Sequence, residues 1–213
     1  MKVGTDGVLL GAWGAVEGKR ILDIGTGTGL IALMAAQRNP EADVLGIDID
    51  ESAVAQASEN VAESPFSRQI ECILQDVLTF EPEAPFDAIL CNPPFFTEDT
   101  LPDNRSRALA RNNKCLPFPQ LIRKVAVLLA ENGTFSLIVP SGLAQEIVGL
   151  CMEKGLHLIR RCQIHTTTRK PPRRTLLEFS RQNRSCEMLT LRLVADDGTR
   201  SQQYKELTKD FYL

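Results

Sequence analysis

Lys19-Arg20-Ile21-Leu22-Asp23-Ile24-Gly25-Thr26-Gly27-Thr28-Gly29 is an apolar run that ends in three alternating glycines. The run reads as a buried parallel strand, and glycines at its end let the backbone turn sharply and approach a ligand. Residues 30–38 then read as a helix. Outward from this unit, residues 43–48 form a second strand, and 51–63 a second helix with Asp50 as its N-cap. Residues 69–74 and 86–91 supply two more strands. A helix over 117–130, a strand over 133–139 and a helix over 143–154 follow. Residues 156–167, 175–181 and 188–194 read as strands, the last closed by an Asp197-Gly198 turn. Strands alternating with helices predict an α/β fold, a mostly parallel doubly wound sheet finished by an antiparallel C-terminal edge. One domain over 1–213 is expected.

The 213 residues are enough to bury a sizeable core. No stretch approaches the roughly 20 apolar residues needed to span a bilayer. The opening Met1-Lys2-Val3-Gly4-Thr5-Asp6 lacks the pattern of a signal peptide, so a cytoplasmic location is expected. Cys72, Cys91, Cys115, Cys151, Cys162 and Cys186 are scattered without a Cys-x-x-Cys pair, and only two histidines accompany them. Most lie within apolar stretches, where a free Cys behaves as a small buried hydrophobe, and neither a metal site nor disulfides are expected.

Charge is unevenly distributed. Residues 1–154 carry 12 Lys+Arg against 21 Asp+Glu, and residues 155–200 carry 10 against 4. A basic end on an acidic body suits an acidic polymer.

The glycine loop departs from the dinucleotide pattern Gly-x-Gly-x-x-Gly, because Leu30 stands where the last glycine would fall. The order Asp23-x-Gly25-x-Gly27-x-Gly29 instead suits S-adenosylmethionine (SAM). Gly25, Thr26, Gly27 and Gly29 are therefore expected to carry the cofactor. Asp48 ends the second apolar run 19 residues beyond Gly29, where an acid can take both ribose hydroxyls. Asp76, after the third strand, suits the adenine amino group. Asp23 suits orienting the loop and the methionine ammonium.

Asn92-Pro93-Pro94-Phe95 directly follows the fourth strand. The exocyclic nitrogen of adenine is a poor nucleophile because its lone pair is delocalised into the ring. Two acceptors for its N–H bonds favour a pyramidal nitrogen. Asn92 offers a side-chain carbonyl and Pro93 a backbone carbonyl, and the paired prolines pre-position both. Phe95 offers a flat face for a stacked base, worth roughly 1–3 kcal/mol. Asn92, Pro93 and Phe95 are the expected catalytic residues, with Asn92 also placed against the cofactor. Phe96 reads equally as a pocket wall or as core. The polar residues 96–115 read as a binding loop.

Arg169, Lys170, Arg173 and Arg174 flank Pro171-Pro172, which holds a hairpin tip extended with its charges outward. These four are expected to meet RNA phosphates, with Arg160, Arg161, Arg181 and Arg184 adding to the region. Arg105, Arg107, Arg111 and Lys114 would clamp the RNA from the other side.

The sequence resembles the bacterial valine tRNA adenine-37 N6-methyltransferases, Rossmann-like class I SAM methyltransferases. The resemblance rests on residues 2–13 (KVGTDGVLLGAW), the DIGTGTG loop and Asn92-Pro93-Pro94-Phe95. It extends through Lys170-Pro171-Pro172-Arg173-Arg174 and the closing LTKDFYL at 207–213. It implies methylation of N6 of the unpaired adenine just 3′ of the anticodon in a valine tRNA. A tRNA partner, a monomer and no membrane partner are expected. The resemblance also implies that Thr5 and Asp6 help close the SAM pocket. Similar proteins carry additional residues ahead of Lys2, a departure at the cofactor lid. The competing enzyme classes are ribosomal RNA guanine-N2 and protein glutamine-N5 methyltransferases. A non-catalytic RNA-binding scaffold is the competing non-enzyme class.

Overall fold

The computed structural model describes residues 4–93, 116–167 and 170–211. Among them, helix α1 (Thr5–Trp13) precedes β1 (Arg20–Ile24), α2 (Leu30–Arg38), β2 (Asp43–Asp48), α3 (Glu51–Ala62), β3 (Ile70–Leu74) and β4 (Phe86–Cys91). There follow α4 (Phe118–Leu128), β5 (Leu129–Pro140), a 3-10 turn over Ser141–Leu143, α5 (Ala144–Met152), β6 (His157–His165), β7 (Arg174–Ser180), β8 (Glu187–Arg192) and α6 (Gln202–Thr208). All eight strands join one sheet in the order β3-β2-β1-β4-β5-β7-β6-β8.

Pairing is parallel from β3 through β5, as the apolar two-face burial of β1 and β4 requires. The antiparallel C-terminal pairing comes from one reversed strand: β7 sits between β5 and β6 and runs against both. The outermost strand, β8, is parallel to β6. Reversal of β7 has a consequence for function. Its first residue, Arg174, pairs with Pro140 at the end of β5, so the hairpin tip lies at the edge where β1, β2 and β4 end.

The core has two layers. One face packs α4 and α5 through Leu121, Val125, Ile147 and Cys151 against Phe135, Leu177 and Phe179. The other packs α1, α2 and α3 through Leu9, Trp13, Ala35 and Val61 against Ile21, Leu90 and Leu176.

Several boundaries differ from expectation. The helix predicted to reach residue 130 stops at Leu128, because Leu129 pairs with Phe86 and is buried as the first residue of β5. The helix predicted from 143 begins as a 3-10 turn. Two helices have no counterpart in the sequence reading. Residues Gly7 through Trp13 of α1 are all buried, which leaves no polar stripe to betray a helix. Helix α6 spans only seven residues and is held by Ser201, whose side chain accepts the Tyr204 N–H.

Candidate active site

The loop after β1 is stitched to the end of β2. Gly25 and Thr26 N–H both donate to the Ile47 carbonyl, at 2.9 and 3.0 Å. Gly25, Gly27 and Gly29 all have φ between 58° and 79°, the left-handed region that an L side chain resists. A Cβ on Gly25 would meet nothing within 4 Å, so the loop presents bare backbone to open space.

Asp23 lies beneath that loop, fully buried. Its Oδ2 accepts the Thr26 hydroxyl at 2.7 Å, while Oδ1 is buried without a partner among the described residues. Burial pushes the carboxyl up to about 7, and the Thr26 hydrogen bond opposes that only in part. Through Thr26 it braces the loop from below. Asp48 receives the Gly27 N–H at 2.9 Å on one oxygen and the Asp50 N–H at 3.0 Å on the other. It thereby ties the loop to β2, and each carboxylate oxygen keeps a second acceptor site. Asp50 caps α3 by accepting the Ser52 N–H, as expected.

A cavity of about 370 Å³ opens at the carboxyl ends of the strands, where parallel α/β sheets place ligands. Gly25, Asp48, Asp76, Asn92 and Pro93 all line it, so five residues expected to act together do meet. Ile49, Val77 and Leu78 line it too, an apolar set missing from the sequence reading. The available signal was Ile49: a large apolar side chain, 55% exposed, between two acids. One oxygen of Asp76 accepts the Leu78 N–H at 2.9 Å and so shapes the turn that carries Val77 and Leu78. Leu116 and Pro117 close the wall from the start of α4.

Asn92 is half-buried and Pro93 buried. Gly7 of α1 stands over Asn92: a Cβ there would lie 3.9 Å from the Asn92 amide nitrogen and 3.2 Å from Leu30 Cδ2. The other expected catalytic residue, Phe95, lies outside the described residues, as do Phe96, the 96–115 loop and Arg169.

Several placements differ from the sequence reading. Thr5 and Asp6 sit in the first turn of α1, outside the cavity wall. Asp6 Oδ2 instead accepts from Arg174 Nε at 2.7 Å, so a residue assigned to the cofactor pairs with one assigned to RNA. Arg160 is drawn inward: its Nη2 donates to Glu178 at 2.8 Å and to the Trp13 carbonyl at 2.7 Å, with the guanidinium over the Trp13 ring. Arg181 donates to the Ala126 and Leu129 carbonyls beyond the far end of β7, and Arg184 follows it there. Lys170 and Arg173 are exposed at the active-site edge, as the hairpin reading requires.

The methyltransferase small domain family matches residues 4–161. The tRNA1(Val) (adenine(37)-N6)-methyltransferase of Bacteroides thetaiotaomicron is 43% identical over all of this chain and 91% of its own length. The chain belongs to that methyltransferase family. Relatives of the same name in Phocaeicola vulgatus reach 44% identity over all of the chain and 91% of their own length. In fold, the methyltransferase is similar to a crystal structure described as a predicted O-methyltransferase from Agrobacterium tumefaciens, with a TM-score of 0.74. That pair is 20% identical over 96% of each chain. No helix among the methyltransferase's described residues is long and apolar enough to cross a membrane.

Proposed function

We propose that this enzyme methylates the exocyclic N6 of adenine 37, beside the anticodon of a valine tRNA, using SAM. The observation that carries the reading is the shared cavity wall: Asn92 and Pro93 from the end of β4 face the same space as Asp48 and Asp76.

The residues present fit the cofactor. The bare Gly25 backbone, the Asp48 carboxylate and the slot between Ile49 and Val77–Leu78 suit a nucleoside. The buried Asp23 Oδ1 has no donor among the described residues, and an ammonium would supply one. When bound, SAM supplies an electrophilic methyl carbon on a sulfonium.

The chain's own groups act on the amine. Asn92 Oδ1 and the Pro93 carbonyl accept its two N–H bonds, which draws the nitrogen lone pair out of conjugation. Both acceptors stand on a rigid strand end before the base arrives, so no reorganisation is needed. The proton is lost to water after the nitrogen has been alkylated, so no strong general base is required. Phe95 stacks the extruded base. Lys170, Arg173 and Arg169 hold the phosphates of the anticodon loop.

The test incubates the protein with labelled SAM and tRNA from a strain lacking this modification, followed by nucleoside analysis. N6-methyladenosine at position 37 is expected. Label in guanine N2, in protein glutamine, or in no product overturns the reading.

A further inference from the structure

Helix α1 is fastened to strand β7 at both ends. Arg174 and Glu178, four residues apart on the same face of β7, are separated by about 13 Å of strand. The nine residues of α1 span about 13.5 Å. At the helix N-terminus, Arg174 Nε donates to Asp6 at 2.7 Å. At its C-terminus, Glu178 Oε2 accepts the Ala15 N–H at 3.0 Å, supported by Ser136 and Arg160.

The two fastenings differ in depth. The Glu178 side chain is 7% exposed, whereas Asp6 and Arg174 are each 30% exposed. The outer one can therefore open while the inner one holds. What it holds is the turn containing Gly7, where a Cβ would come within 3.9 Å of the Asn92 amide nitrogen and 3.2 Å of Leu30, the first residue of the helix that follows the glycine loop. Arg174 in turn continues directly from the exposed Lys170–Arg173 tip. Hairpin tip, Arg174, Asp6, the first turn of α1 and Asn92 thus stand in series.

We infer that Asp6 and Arg174 are a positioning pair: they hold the first turn of α1 against Asn92, so that contacts at the hairpin set the alignment of the amine acceptor. This rests on the proposed methyl transfer. Neither residue touches the reacting atoms, and Arg174 acts through Asp6 rather than as an RNA contact alone.

The test compares Asp6→Asn, Arg174→Gln, the double variant and the conservative Arg174→Lys. Each is measured for kcat, for KM toward tRNA and for amide hydrogen exchange along residues 5–13. Both single variants are expected to lower kcat by on the order of tenfold, within what a displacement of about 1 Å costs. Exchange should rise in the first turn but not near Trp13. The double variant should be no worse than Arg174→Gln, because the Asp6–Arg174 contact is already lost there. Arg174→Lys should recover most of kcat. Wild-type kcat and exchange in Asp6→Asn, with Arg174→Gln raising only KM for tRNA, would overturn the pair and leave Arg174 a phosphate contact. A wild-type protein that methylates no nucleoside sinks the functional reading instead. Exchange then judges the pair, and an unchanged first turn in both singles overturns it.

Discussion

The Thr26 hydroxyl donates to Asp23 Oδ2 at 2.7 Å, while the other oxygen of that buried carboxylate has no partner among the described residues. A carboxylate in that state is poorly stabilised as an anion. Folding therefore raises the Asp23 pKa from 3.8 to about 7. Between those values the folded chain holds a proton that the unfolded chain has released. Stability consequently falls as pH rises from about 4 to about 7 and is flat above. At about 1.36 kcal/mol per unit the loss reaches roughly 4 kcal/mol. Denaturant titrations of wild type and Asp23→Asn across pH 4–8 should show the wild type losing ground to the variant as pH rises. A pH-independent difference would reject this account.

Asp48 joins the glycine loop to β2 through the Gly27 N–H. Asp48→Ala removes that tether and the proposed ribose acceptor together. Affinity for S-adenosylhomocysteine, measured calorimetrically, is expected to drop by at least tenfold, since hydrogen bonds to a charged group are worth about 1.5–3 kcal/mol. An unchanged dissociation constant removes Asp48 from the cofactor site.

Asn92→Ala should abolish methylation with S-adenosylhomocysteine affinity within a few-fold of wild type, because the acceptor is realised only on the amine side. Loss of cofactor binding instead would take Asn92 out of the chemistry.

Reversing Lys170 and Arg173 to Glu should weaken tRNA binding, and the slope of log affinity against log salt should flatten by about one per lost contact. Arg174 is left intact here because it pairs with Asp6. Unaltered affinity would make the tip solvated surface.

Glu178→Ala removes the buried carboxylate that Arg160 and the Ala15 N–H share. A destabilisation of about 3–5 kcal/mol is expected by chemical denaturation. A shift below about 1 kcal/mol would show that the cluster contributes little.

Much of this architecture is legible in the chain. The glycine loop, the two acids at strand ends and Asn92-Pro93 follow apolar runs whose length and turn residues mark them as buried parallel strands. Helix α1 was not legible, because a helix apolar on every side has no period to detect. Ile49, Val77 and Leu78 escaped because their use as a cavity wall depends on two strand ends lying side by side.

Local chemistry alone thus determined the strand-loop-helix frame and the groups proposed to grip a nucleoside and an amine. Only tertiary structure decided which charges are available. Arg160 and Arg174 resemble Lys170 and Arg173 in sequence, yet the first is half-buried and paired with Glu178 and the second is tied to Asp6. Those carboxylates lie 18 and 168 residues away, and only folding of β7 beside β6 and α1 sets the distances that pair them.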